Sequence, residues 1–312
     1  MSSATRQQQQ RRRLILDFDS TITKKDTISV LASAAIAHQQ KRQKQQRQRR
    51  RQQQQENDRD GILEDKWRQV VERYMRDLQS YKESSGVPEE DEEGVTTTTT
   101  TMALEREVEY LSGMSSVEAA SLERVRDSGV FAGLGAEALR QMGRDAVSAG
   151  SVVLREGLDR LVDLATRSGW EVAVLSVNWS ASFIRGVLGA RDMAVVANEV
   201  CPRDGGIVFP DGDAGSRPLT TSWDKLDAMK RCLPARSVTY MGDSTTDLEC
   251  LLYQRGVVMA DSEEGSSLIG TLRRLGYTVL HVSQHGGGGD GGHVMYWASD
   301  FDQVVDSGLL PS

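Results

Sequence analysis

Residues 14–23 read Leu14-Ile15-Leu16-Asp17-Phe18-Asp19-Ser20-Thr21-Ile22-Thr23: three large aliphatic residues that stop at two carboxylates one residue apart. A short aliphatic run bounded by charge suits a strand buried on both faces of a parallel sheet. The change to Asp-Phe-Asp then falls at the strand's carboxyl end, where open α/β sheets bind ligands. In an extended chain Asp17 and Asp19 share one face; a sharp turn after Asp17 instead gives them separate roles. The plainer alternative is a capping aspartate beyond a strand, followed by Ser/Thr helix-capping chemistry.

How much of the chain can join such a sheet depends on composition. Of 312 residues, 38% are hydrophobic, a low share that the glutamine, threonine and glycine tracts largely explain. The length allows one large domain or two modest ones. A net charge of −7 argues against wholesale nucleic-acid binding, although the charges are segregated. Cys201, Cys232 and Cys250 lack CxxC or Cys/His spacing and read as thiols of a reducing compartment. No apolar run reaches the roughly 18 residues of a membrane-spanning helix, so no membrane partner is expected. The basic, acid-free start, with Arg6 and Arg11 to Arg13, is like a transit peptide's, but the first core strand follows at once. The expected location is the cytoplasm, with the nucleus as an alternative.

Residues 1–13 are expected to form a disordered basic N-terminus. A helix is predicted over Asp26 to Ala37, running into His38 to Gln55, a glutamine tract with seven Lys/Arg residues. That tract cannot bury a core and reads as a solvated insertion or a frayed helical extension, offering weak protein contacts at most. A role in nuclear localisation or RNA contact is the less favoured reading. Ile62 to Tyr81 resumes helical periodicity, with Trp67, Val70, Val71, Tyr74 and Leu78 on one stripe, a pattern that ordinarily means core. A second polar stretch follows, acidic over 89–93 and threonine-rich over 96–101. Leu104 to Arg126 and Ala136 to Val147 read as further helices, separated by Ser128-Gly129-Val130-Phe131. Residues 24–150 thus form an all-helical module with low-complexity insertions at 38–55 and 84–101.

From residue 151 the pattern changes. Helices are predicted over Leu158 to Thr166, Ala181 to Leu188, Leu226 to Leu233 and Thr246 to Tyr253. Strands are predicted over Trp170 to Leu175, Ala194 to Ala197, Val238 to Met241, Gly256 to Ala260 and Val279 to Val282. A hairpin is expected over 198–210, turning at Asp204-Gly205-Gly206, and a glycine-rich loop from His285 to His293. This alternation signals α/β architecture: a Rossmann-like, doubly wound parallel sheet built from residues 14–23 and 151–312.

Four features fall in order at expected strand ends or helix starts. They are Asp17-x-Asp19-x-Thr21, Ser176 after Val-Ala-Val-Leu, Lys225 in Trp223-Asp224-Lys225, and Gly242-Asp243-Ser244-Thr245-Thr246-Asp247. Phosphoryl transfer is mainly placement and charge stabilisation. Asp17 can act as a nucleophile and split the reaction through an aspartyl-phosphate. A carboxylate attacking a dianionic phosphate must be screened, which calls for Mg²⁺ and a lysine; Mg²⁺ favours one or two carboxylates, waters and a substrate phosphate oxygen.

Together the four features resemble the motifs of the haloacid dehalogenase superfamily in its phosphatase branch. The resemblance implies Asp17, Asp243, Asp247 and the Asp19 backbone carbonyl as the set that holds Mg²⁺. Asp247 would orient a water or pair with Lys225. Ser176 and Lys225 would hold the phosphoryl oxygens, and Asp19 would protonate the leaving alcohol and later activate water. The helical module sits where this superfamily inserts its C1-type cap. Asp26, nine residues after Asp17, stands where phosphoserine phosphatase-like members carry an acidic substrate contact. The run Leu175-Ser176-Val177-Asn178-Trp179-Ser180 and the segment 242–251 are similar to the phosphatase half of plant bifunctional thiamine-phosphate phosphatases and their fungal relatives. This likeness implies Thr21, Asp26, Asn178 and Trp179 on the substrate, a small phosphorylated metabolite, with thiamine monophosphate as the leading specific candidate. Phosphoserine-like and other phosphate esters are the alternatives. A regulatory scaffold on the same fold is the reading from another function class; retention of every catalytic residue type argues for the enzyme.

Overall fold

The computed structural model of the chain describes residues 11–50, 62–86, 97–210, 217–286 and 293–310, with the backbone alone at 46–50, 97–100 and 255. Within it Leu14, Ile15 and Leu16 are fully buried, but they enter different cores. Leu14 and Leu16 pack with Val172 and Val174 on one face of a sheet; Ile15 packs on the other with Ala173, Leu175 and Tyr240. Two-sided burial is what an uninterrupted aliphatic run implies, and each such side chain stabilises the fold by about 1.5–3 kcal/mol.

The strands in chain order are β1 (Arg12–Leu16), β2 (Trp170–Leu175), β3 (Ala194–Val196), β4 (Glu199–Val200), β5 (Ile207–Val208), β6 (Ser237–Gly242), β7 (Arg255–Met259), β8 (Thr278–His281) and β9 (Val294–Ala298). Seven of them form a sheet in the order β3-β2-β1-β6-β7-β9-β8, parallel at every pairing. β4 and β5 make the expected antiparallel hairpin. The fold is therefore an α/β, Rossmann-like doubly wound sheet, as the alternation predicts. Strand order reverses between β1 and β6, and Leu16 pairs with both Val174 and Met241. The carboxyl ends of β1, β2 and β6 are thus brought level at the topological switch point, where such sheets bind ligands.

The helices are α1 (Ile28–Arg50), α2 (Ile62–Ser85), α3 (Thr97–Gly113), α4 (Ser115–Ser128), α5 (Ala136–Ser148), α6 (Leu158–Arg167), α7 (Ala181–Leu188), α8 (Ser222–Cys232), α9 (Leu248–Tyr253), α10 (Ser267–Arg274) and α11 (Phe301–Asp306). The helical insertion between β1 and β2 begins and ends in paired connections. Lys24 N–H donates to Val153 O at 2.9 Å and Arg155 N–H to Ile22 O at 2.8 Å.

Several expectations shift. β1 starts at Arg12 rather than Leu14, and Arg13 donates to Glu171 at 2.9 Å; residues 1–10 of the expected N-terminal tail lie outside the described residues. Helix α1 runs through the glutamine/arginine tract to Arg50, as the helical-extension reading has it, with the start of the tract tied down by Gln39 Nε2, which donates to Ala132 O at 2.5 Å; 51–55 lie outside the described residues. Threonines 97–101 open helix α3 instead of belonging to a structureless stretch. Threonine is a weak helix former, but α3 is held further on, where Leu111 joins the core and Glu107 pairs with Arg274 of α10 at 2.8 Å. The single helix expected over Leu104 to Arg126 breaks at Met114 into α3 and α4. Strand β9 and helices α10 and α11 were not anticipated. Of the glycine-rich loop, 287–292 lie outside the described residues. Among the described residues no helix is long and apolar enough to cross a membrane.

Candidate active site

Asp17 follows β1, and its N–H donates to Met241 O of β6 at 2.8 Å. The chain then turns tightly: Thr23 N–H and hydroxyl both donate to Phe18 O, and Ser20 adopts a left-handed φ of 56°. Ser176 follows β2, with its N–H donating to Val196 O at 3.0 Å, and Asp243 follows β6. Lys225 comes from the first turn of α8. A capping box at Thr221 and Asp224 fixes the start of that helix. Thus three strand ends and one helix start converge.

At the centre Lys225 is fully buried between two carboxylates. Its Nζ donates to Asp17 Oδ1 at 2.7 Å and to Asp247 Oδ1 at 2.5 Å. Asp247 Oδ1 also accepts from the Tyr240 hydroxyl at 2.6 Å. Its Oδ2 accepts from the N–H groups of Asp243 and Ser244, each at 3.1 Å. Asp243 accepts from the Thr21 hydroxyl at 3.1 Å. Burial disfavours the Lys225 ammonium, yet Asp17 and Asp247 outweigh it and hold the amine above the ordinary lysine range. Burial raises Asp17 well above the usual carboxylate range; Lys225 opposes this, and Asp247 and Asp243 add to it. Burial and then Asp247 push Asp243 up to about 7, against Lys225.

Oxygen atoms of Asp17, Asp243 and Asp247 lie within 4.8 Å of one another. Three carboxylates face one ammonium, an excess of negative charge with hard oxygen donors that suits a dication such as Mg²⁺. Both oxygens of Asp247 are already engaged, so Asp17 and Asp243 are the residues that could hold it, and Asp247 positions Lys225. The Asp19 carboxylate stands apart from this cluster. Its Oδ1 accepts from Thr27 N–H at 2.8 Å and Thr27 hydroxyl at 2.7 Å, and its Oδ2 from Asn178 Nδ2 at 2.8 Å. Burial and then Asp26 raise Asp19 to about 6, although all three hydrogen bonds pull the other way.

Asp17, Asp19, Asp26, Ser176, Asn178, Trp179 and Asp243 line one cavity of about 420 Å³, within the usual range for small-ligand sites. Lys225 and Asp247 lie beneath it. Thr21 is not among the lining residues; its hydroxyl serves Asp243. Asn178 is spent on Asp19 and Thr27, and its carbonyl accepts from Ser180 N–H. The apolar stripe of α2 has a second use besides core: Trp67, Val70, Val71 and Tyr74 form the cavity's outer wall. Trp179 makes T-shaped contacts with Trp67 and Phe131, each with ring centroids 6.0 Å away. Several lining or supporting residues escaped the sequence reading, Glu118 and Thr27 among them. Glu118 of α4 accepts from the Tyr74 hydroxyl at 2.8 Å and is raised by burial; its glutamate looks like any solvent-facing helix charge. Thr27, the anchor of Asp19, looks like a helix cap. Among the described lining residues there is no lysine, arginine or histidine.

No model of a protein family matches the chain. It is similar to Cold tolerance protein 1 of Saccharomyces cerevisiae, 25% identical over 280 residues, covering 81% of this chain and 80% of the relative. It is also similar to the CTO1 family protein C17G9.12c of Schizosaccharomyces pombe, 27% identical over 257 residues, covering 76% and 77%. Among solved structures, a phosphoserine phosphohydrolase-like protein from Francisella tularensis superposes with a TM-score of 0.45 and 13% identity, covering 95% of this chain and 98% of that one. Cytosolic 5'-nucleotidase IIIB bound to cytidine superposes with a TM-score of 0.45 and 14% identity, covering 84% and 78%.

Proposed function

We propose that this chain is a Mg²⁺-dependent phosphomonoesterase of the haloacid dehalogenase type, acting through an aspartyl-phosphate on Asp17. One observation carries the reading: a buried lysine held between Asp17 and Asp247 at the level where Asp243, Ser176 and Asp19 converge on one cavity. Resting ion pairs are seldom built this deep for stability alone, since desolvation offsets the attraction. Lys225 opposes the upward push of burial on Asp17 and aims its carboxylate, and its ammonium with the Ser176 hydroxyl can bind phosphoryl oxygens. An oxygen of Asp17 attacks phosphorus, the bond from phosphorus to the leaving oxygen breaks, and Asp19 passes its proton to that oxygen. Asp19 then takes a proton from a water that attacks the same phosphorus, and the Asp17–phosphorus bond breaks to release phosphate. To do this Asp19 exchanges one of its three resting donors for the substrate. Asp17 and Asp243 would hold Mg²⁺, whose charge would screen that of the phosphate.

The outer wall supports a substrate class. It offers aromatic rings from Trp67, Tyr74 and Trp179 and carboxylates from Asp26 and Glu118, with no described cation among the lining residues. A cationic leaving group gains from both, at roughly 0.5–2 kcal/mol per aromatic contact. The ammonium of a leaving group such as serine meets the same carboxylates, but its own carboxylate meets no described counter-charge among the lining residues. Thiamine monophosphate, which carries a thiazolium, therefore stands first. The test is kcat/KM with Mg²⁺, and with EDTA as control, for thiamine monophosphate, phosphoserine, a nucleotide monophosphate and a sugar phosphate. The expected result is Mg²⁺-dependent turnover with at least about tenfold preference for the thiazolium ester, some 1.4 kcal/mol of discrimination. Hydrolysis without that preference removes the substrate assignment, and no hydrolysis of any ester removes the phosphatase.

A further inference from the structure

Arg155 lies on the return connection from the helical insertion to the sheet, with only 4% of its side chain exposed. Its guanidinium donates to four acceptors drawn from three places. Nη2 reaches Ser20 O at 2.6 Å and Nε reaches Thr21 O at 3.1 Å, both in the turn after Asp17. Nη1 reaches Ser299 O, just past β9, at 2.6 Å, and Asp261 Oδ1, just past β7, at 2.8 Å. A planar fork with five donors can satisfy such a set at once, which the point charge of a lysine cannot.

The turn it grips needs holding. Ser20 sits at φ 56° without being glycine, a conformation that costs about 1–2 kcal/mol and persists only when its surroundings over-determine it. The same turn carries Asp19 into the cavity and brings the Thr21 hydroxyl to Asp243. A shift of the turn therefore misplaces two groups of the site together.

We propose that Arg155 is a positioning residue for the reaction. By clamping the carbonyls of Ser20 and Thr21 to the ends of β7 and β9, it fixes where Asp19 and Asp243 stand relative to Asp17. This rests on the phosphatase reading above. It assigns Arg155 no contact with substrate, so binding of the leaving group should be spared.

The test compares Arg155→Lys, Arg155→Ala and Asp261→Asn in the full chain by steady-state kinetics and amide hydrogen exchange. For Arg155→Lys, kcat should fall on the order of 10²-fold, as for reacting groups misplaced by about an ångström. KM should stay within about threefold of wild type. Exchange at the Ser20 and Thr23 amides should quicken while sheet amides keep their protection. Methylguanidinium should restore part of the Arg155→Ala rate. Asp261→Asn, which spares the bonds to the Ser20, Thr21 and Ser299 carbonyls, should keep kcat within about threefold. Arg155→Lys with wild-type kcat and wild-type exchange in the turn would overturn the proposal. So would loss confined to KM, or protection lost evenly across the sheet. If the wild type hydrolyses no phosphate ester, the phosphatase reading falls by itself, and the exchange measurements still decide whether Arg155 holds the turn.

Discussion

Lys225 is fully shielded from solvent between two carboxylates, and that fixes what its loss should do. Removing one partner of a buried charge set leaves the others uncompensated, at about 3–5 kcal/mol. Lys225→Met, of similar length, should therefore lower the unfolding free energy by that order in metal-free buffer, measured by denaturant titration. A loss below about 1 kcal/mol would mean that Asp17 and Asp247 do not depend on it. The acidic and hydroxyl groups at strand ends were legible residue by residue, because an aliphatic run ending in Asp or Ser is an unusual local pattern. Arg155 and Glu118 were not. Each is one charged residue in a stretch of ordinary composition, and its role comes from partners more than 40 positions away.

At the scale of elements, packing rather than propensity decides the most specific contact between the helical insertion and the sheet layer. Helix α5 crosses α7 so closely that a Cβ on Gly186 would stand 2.1 Å from Arg140 O, and one on Gly143 would stand 2.4 Å from Phe183 O. Gly186→Ala should therefore destabilise by about 1–3 kcal/mol through helix separation. Gly270, in α10, has nothing within 4 Å of a Cβ. There the same substitution should stabilise by about 0.5–1 kcal/mol, since glycine is the weaker helix former. Thermal unfolding of the two variants checks the pair; shifts of the same sign would contradict the close crossing. Strands β2, β6 and β7 were legible as apolar runs between turn signals. β9 was not: Val294 to Ala298 follows a glycine tract and mixes large aromatics without a clean period. For the far end of α1 the sequence left a solvated insertion and a helical extension both open, since a glutamine/arginine composition gives no periodic face to read.

For the whole molecule, alternation of strand and helix announced the sheet but not its order. Nothing local tells β9 to insert between β7 and β8, or α3 to leave the helical insertion and dock on the sheet's second core through Leu111 and the Glu107–Arg274 pair. The outcome of that order is the level meeting of β1, β2 and β6, and the account's central claim is that Asp17, at this meeting point, takes up phosphate covalently. The most direct test is acid quenching during turnover of a radiolabelled phosphate ester in Mg²⁺, followed by peptide mapping. The expected result is one phosphoryl group on the peptide containing Asp17, labile to hydroxylamine, and absent from a folded Asp17→Asn variant that no longer turns over. Undiminished turnover by Asp17→Asn, or label on any other residue, would contradict it.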